Sequence, residues 1–335
     1  NSLGVLPIAT LRMEENVKTF TILSVAKAAF VTVGTFFAVV YIAANAISAL
    51  MIQMVVILVF SILFLIVTSK HTKYVFDIKY VKHGLAFSLP LVPGSLAYYA
   101  VTMSDRIFIN KYLTLFDLGI YSTASTLALI LVTISSCAYK AFEPYVFKLP
   151  NNDSKDQAIV KLFKNYFFAV VFAALGISLL SKEFLLFFAD PKYLVAYKYV
   201  PLLLVGTIFT SLSLLFSTVI ISNGLTKINS MISIIGGLVS VGLNVALLKY
   251  GVVYACLTSM ISLGVMFVLN VYYSRIRIAW LKYCVIFLFV FCSQYIFFLY
   301  QMNNVIEIIL KTVYLIVVAW AFYRFSDIKL KNIIR

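Results

Sequence analysis

Charge is scarce in this chain. Of its 335 residues only 12% are Asp, Glu, Lys or Arg, whereas 63% are hydrophobic and 16% aromatic, and the mean hydropathy is +1.03. A soluble domain of this size does not bury so much apolar surface behind so little charge, so the composition implies a polytopic membrane protein. Alternation of apolar and polar residues over roughly ten-residue stretches is also missing, which argues against a membrane β-barrel. The expected fold is therefore an all-α integral membrane protein, a polytopic helical bundle.

Metal ligands are few. Both histidines, His71 and His83, fall in one basic loop, and Cys137, Cys256, Cys284 and Cys292 are scattered through apolar spans without a CxxC pair. No zinc site is expected from that spacing, and the cysteines read as small buried hydrophobes. GxxxxGK[ST], HExxH and GxSxG are all absent. Neither nucleotide hydrolysis nor common hydrolase chemistry has its motif, and the chain is not expected to be an enzyme.

What charge there is leans one way, 27 Lys and Arg against 12 Asp and Glu, a formal +15. The basic residues lie in short loops rather than in a block interleaved with aromatics, so nucleic acid is not the expected partner. Membrane sidedness accounts for them better. Ten spans are predicted, at about 20–42, 46–67, 84–103, 119–139, 163–181, 200–221, 230–248, 252–272, 283–300 and 306–323. With the N-terminal loop placed in the cytoplasm, nineteen basic residues fall on that side and six opposite, while Lys27 and Lys311 fall within spans. The positive-inside rule then puts both ends of this chain in the cytoplasm.

Three local features stand out. Pro90, Pro93 and Gly94 cluster in the third span; each proline removes a backbone donor, so that helix is expected to be bent or broken, as are membrane helices that line cavities. Gly236, Ser240 and Asn244 recur every fourth residue in the seventh span, a small-residue stripe for close helix packing, with Asn244 able to bond across it. Asp105 and Arg106 stand together in what reads as a short polar joint between the third and fourth spans, and ionisable groups at a membrane edge are read as functional.

The strings GLAFSLPLVPG, SDRIFINKYL, DLGIYSTAS and AFEPYVF, from Gly84 to Phe147, resemble the second half of bacterial polysaccharide-unit flippases, the O-antigen transporter (Wzx) family. The elements that carry the likeness are Leu89-Pro90 with Pro93, Asp105-Arg106, Gly119-Ile120-Tyr121 and Pro144. That family shares a superfamily with multidrug and toxin extruders and the peptidoglycan lipid flippase, proteins of two six-helix bundles, in some cases with two further helices.

The resemblance implies three regions: 1–83 as the remnant of an N-terminal bundle with a cytoplasmic loop, 84–272 as a C-terminal six-helix bundle, and 273–335 as an extra helix pair with a cytoplasmic tail. Because residue 1 is Asn rather than Met, and only two spans precede Gly84, the chain is expected to be a fragment lacking its first helices.

The implied function is flipping of an undecaprenyl-diphosphate-linked oligosaccharide across the bacterial inner membrane by alternating access. A sodium or proton gradient would drive the step, with no cofactor. Expected partners are the lipid-linked oligosaccharide, membrane lipids, and the polysaccharide polymerase and chain-length regulator of the same pathway. For a diphosphate cargo Arg106 is the leading contact, because its planar fork suits bidentate bonds to phosphate oxygens and Asp105 beside it could hold or release that fork. Lys27 is a weaker candidate: it shares a face of the first span with Ser24, Ala28 and Thr35, at a depth from which it can snorkel to the interface.

The rivals are a drug or cation antiporter of the same superfamily, a membrane polysaccharide polymerase and a scaffold without cargo. An antiporter wants an acid deep within a span, and by the predicted boundaries only Glu307 lies inside one. A polymerase wants a large outer loop, and the longest outer one here, 182–199, is short.

Overall fold

The structure, a computed structural model, describes residues 7–11, 17–42, 46–69, 77–148, 153–299 and 304–325. Among the described residues regular structure is helical throughout. The chain divides into two compact units, Asn1–Val81 and Lys82–Arg335.

In the first unit, α1 (Val17–Phe37) runs into a π-helical turn, Ala38–Ile42, and packs against α2 (Ala46–Ser69). Ile22, Phe30, Leu50, Met54 and Ile66 stand exposed on the two helices, as side chains facing lipid would. Thr32, Thr35, Ser61 and Thr68 each donate their hydroxyl to the carbonyl four residues back. This satisfies polar side chains without water, the requirement hydrocarbon imposes.

Helix α3 (Ile78–Ser88) straddles the division, and the second unit continues with α4 (Leu91–Tyr112), α5 (Leu115–Lys148), α6 (Asp153–Leu179) and the short α7 (Ser181–Phe188). After a 3-10 helix (Pro191–Lys198) come α8 (Val200–Ser222) and α9 (Thr226–Leu247), then α10 (Val252–Ser274), α11 (Trp280–Leu299) and α12 (Asn304–Phe325). Helix α8 is buried along most of its length, packed by α5, α6 and α10, while α9 lies between α4 and α10.

Helices α11 and α12 both dock on α6. Rings of Phe163 and Phe167 meet Trp280 and Tyr283 with centroids 4.9 to 5.4 Å apart, an aromatic seam that fixes α11 beyond its bare apolar burial. Ions fix α12 to α7. Lys311 Nζ lies 2.6 Å from Glu183 and 2.8 Å from Glu307, and Lys182 Nζ lies 3.2 Å from Glu307.

Among the described residues eight helical stretches are long and apolar enough to cross a membrane, and α11 and α12 occupy the last two predicted spans. Two local expectations are corrected. The predicted third span, 84–103, lies within a longer helical run, Ile78–Tyr112, interrupted at Leu89–Pro90, so Asp105 and Arg106 belong to α4 rather than to a joint; Arg106 lies about 9 Å from that helix's end at 1.5 Å per residue. The true joint is Leu113–Thr114, where Thr114 and Asp117 cap α5: the Asp117 carboxylate accepts from the Thr114 amide and hydroxyl, and the Thr114 hydroxyl accepts from the Asp117 amide. Likewise 182–199 is not an open loop: it is α7 followed by the 3-10 helix, whose start Asp190 caps by accepting the Lys192 amide.

Candidate functional site

Helix α4 carries the site, and it begins with a break. Proline at 90 and 93 withdraws two amide donors, and α3 ends at Ser88 before the chain turns through Leu89 and Pro90. Ser230 of α9 repairs the gap: its hydroxyl donates to the Pro90 carbonyl and accepts from the Gly94 amide at 2.9 Å. Those are the two groups that an uninterrupted helix would join to each other, so a side chain from a neighbouring helix stands in for one rung of the ladder. Gly94 permits this approach, since a Cβ there would overlap Ser230 Oγ and lie 2.7 Å from the Ser230 Cα. The helix break expected from Pro90, Pro93 and Gly94 is present, and its buried partner is one the sequence left unnamed.

Three to four turns further on, Asp105 is only 2% exposed. Tyr121 of α5 donates to its Oδ2 at 2.6 Å, Ser259 of α10 donates to the same oxygen, and Asn244 Nδ2 of α9 donates to Oδ1 at 2.6 Å. Asn244 also reaches Ser104 Oγ at 3.0 Å and accepts from Thr258 at 2.6 Å, while Ser104 meets Ser240 at 3.1 Å. Four helices thus converge on one carboxylate. A buried charge is tolerated when it is hydrogen-bonded this fully, and the groups around it are two hydroxyls and an amide that each donate a proton to the carboxylate.

Arg106 faces elsewhere. Consecutive helical residues diverge by about 100° at 3.6 residues per turn, and no ion pair joins Arg106 to Asp105 among the described residues. The half-buried guanidinium instead offers Nη2 to Ser125 of α5 at a long 3.5 Å, and its Nε is buried without a partner. The idea of Asp105 holding and releasing the Arg106 fork is therefore corrected: Asp105 is committed to the helix junction, and Arg106 has unspent hydrogen-bonding capacity. Lys27 is half-buried on α1 in the first unit.

The short strings explain themselves in this setting. Gly119 lies against the Tyr193 ring, where a Cβ would sit 2.6 Å from Cε1; Ile120 is buried and Tyr121 reaches Asp105. Residues 1–198 match the family described as polysaccharide biosynthesis protein. The chain belongs to that family. Its fold resembles a solved structure described as the lipid II flippase MurJ in an inward closed conformation, with a TM-score of 0.62 at 19% identity, over 92% of this chain and 67% of that one. No curated protein matches the sequence.

Sequence reasoning placed Asn244 at a helix contact but missed Ser230, Thr258 and Ser259 as members of the site. A lone hydroxyl in an apolar span usually bonds its own helix backbone, as Thr123 and Thr210 do here. Nothing in the local sequence separates the two kinds.

Proposed function

We propose that this polysaccharide-biosynthesis membrane protein flips a lipid-linked oligosaccharide, an undecaprenyl-diphosphate-linked O-antigen or related surface unit, across the bacterial inner membrane. One observation carries the reading: a chain matched over residues 1–198 by a polysaccharide-biosynthesis family folds along 92% of its length like a lipid flippase. The task is to shelter a diphosphate and sugars from hydrocarbon while the lipid tail stays in the bilayer. That requires fixed cations inside a bundle and a scaffold able to change shape. Arg106, with its unpaired Nε, is the cation proposed for the diphosphate, and the interrupted helix that bears it is the proposed flexing element. Asp105 is the group proposed to take up the driving sodium ion or proton, since protonation or a bound cation would alter the bonds that join α4, α5, α9 and α10.

A second reading, a drug or cation antiporter, gains from the same Asp105, because a carboxylate now lies two turns inside a helix, where only Glu307 was expected. The discriminating experiment supplies the complete protein to a strain whose lipid-linked oligosaccharide flippase is deleted. Restored surface polysaccharide, with loss of the accumulated lipid-linked precursor, supports the flippase. Unchanged precursor together with raised resistance to cationic drugs would establish the antiporter instead.

A further inference from the structure

Helices α6, α11 and α12 leave an open groove of about 940 Å³ on the second unit, at the upper end of the roughly 300–1,000 Å³ typical of small-molecule sites. Phe168, Val285, Phe289, Val317 and Ala321 wall it, and Lys164 and Lys282 border it from two different helices. Along α11 the lining runs from Leu281 to Phe289, about 12 Å at 1.5 Å per residue, and hydrocarbon is about 15 Å deep per leaflet. The groove is therefore one leaflet deep. Its cations lie toward the end where Lys161, Arg275 and Arg277 also stand exposed, with two acids, Asp153 and Asp156, at the start of α6.

We propose that this groove is a binding site for an anionic glycerophospholipid of the lysine-rich leaflet, one acyl chain between α11 and α12 and the phosphate between Lys164 and Lys282. An apolar slot alone would accept any tail. Two lysines on separate helices at its head select a negative headgroup, because a cation near an anionic headgroup favours it while a zwitterion largely cancels the gain. A polyprenyl phosphate would offer the two lysines the same negative charge, so it enters the test as a competitor of the membrane lipid. The site stands apart from Asp105 and Arg106 and does not depend on what the protein transports.

The test uses the full chain, delipidated in detergent and re-exposed to mixed micelles of phosphatidylglycerol and phosphatidylcholine in equal amounts, with bound lipid counted by mass spectrometry. Phosphatidylglycerol should be retained in preference, and Lys164→Gln and Lys282→Gln should each cut that preference about fivefold, the effect of one interfacial cation. Ala321→Phe, which fills the slot and leaves the charges alone, should release the lipid. Equal retention of both lipids by the unmodified chain, or unchanged preference in the doubly substituted Lys164→Gln/Lys282→Gln protein, overturns the proposal. So does displacement of phosphatidylglycerol by an equimolar polyprenyl phosphate, which would assign the groove to the cargo tail.

Discussion

Tyr121 donates its hydroxyl to the Asp105 carboxylate at 2.6 Å, tying α5 to α4 at the point where Asn244 and Ser259 bring in α9 and α10. The hydroxyls can reverse and accept, whereas the Asn244 amide cannot. Asp105→Asn should accordingly keep the fold, turning its oxygen to Asn244 and its NH2 to the hydroxyls. Asp105→Leu strands three buried donors at about 1–3 kcal/mol each. The Tm in detergent should thus fall far more for Leu than for Asn. If Asp105 carries the driving cation, Asn should still lose transport; a transporting Asp105→Asn protein would end that role.

The close approach of Gly94 and Ser230 makes an asymmetric prediction. Ser230→Ala removes two bonds at the break and should cost on the order of 1 kcal/mol per bond, while Gly94→Ala drives a methyl into the Ser230 backbone as well as its hydroxyl. The double substitution should therefore remain less stable than Ser230→Ala alone, because the methyl still meets the backbone of residue 230. Thermal unfolding of the three proteins checks the order, and full rescue by Ser230→Ala would refute the backbone clash.

Lys311 sits between Glu183 and Glu307 and is itself buried. Lys311→Met leaves Glu183 without its cation and Glu307 with Lys182 alone, and should destabilise the α7 to α12 contact by less than the about 3–5 kcal/mol of a fully buried pair, because Glu183 is partly exposed. Glu307→Gln, which keeps a bond acceptor, should be milder. Proteolysis at the α11 to α12 connection reads the outcome: Lys311→Met should be cut faster than the unmodified protein and Glu307→Gln only slightly so.

Arg106 makes one long bond and keeps an unpaired Nε, so its removal should barely affect stability. Export is where the loss should appear. At matched membrane abundance in the complete protein, Arg106→Ala should abolish surface polysaccharide, Arg106→Lys should impair it because the fork is lost, and Ser125→Ala should leave it near normal. Normal export by Arg106→Ala would exclude the cargo contact and return attention to Lys27.

Sidedness follows from the distribution of Lys and Arg. Lys227 lies at the start of α9 on the predicted cytoplasmic side, and the exposed Leu115 opens α5 on the opposite one. Single cysteines at these positions in an otherwise cysteine-free protein should be labelled by an impermeant reagent in intact cells at 115 and not at 227. The reverse pattern would invert the topology.

The helices themselves, their approximate number and the break at Pro90 were legible in the sequence, because length, apolarity and a missing amide donor are properties of neighbouring residues. The stripe of Gly236, Ser240 and Asn244 was legible for the same reason, being a matter of helical period; all three are buried as expected. What each polar group does was decided by tertiary structure. Asp105 and Arg106 look like a pair when written side by side, but the helical turn sends one toward α9 and α10 and the other toward Ser125. The partners that complete the site, Ser230 for Pro90 and Gly94, and Asn244 and Ser259 for Asp105, lie 136 to 154 residues away along the chain. Only the packing of α4 against α9 and α10 sets the rotation of these helices about their axes. That rotation turns scattered hydroxyls and an amide into the shell of a buried carboxylate.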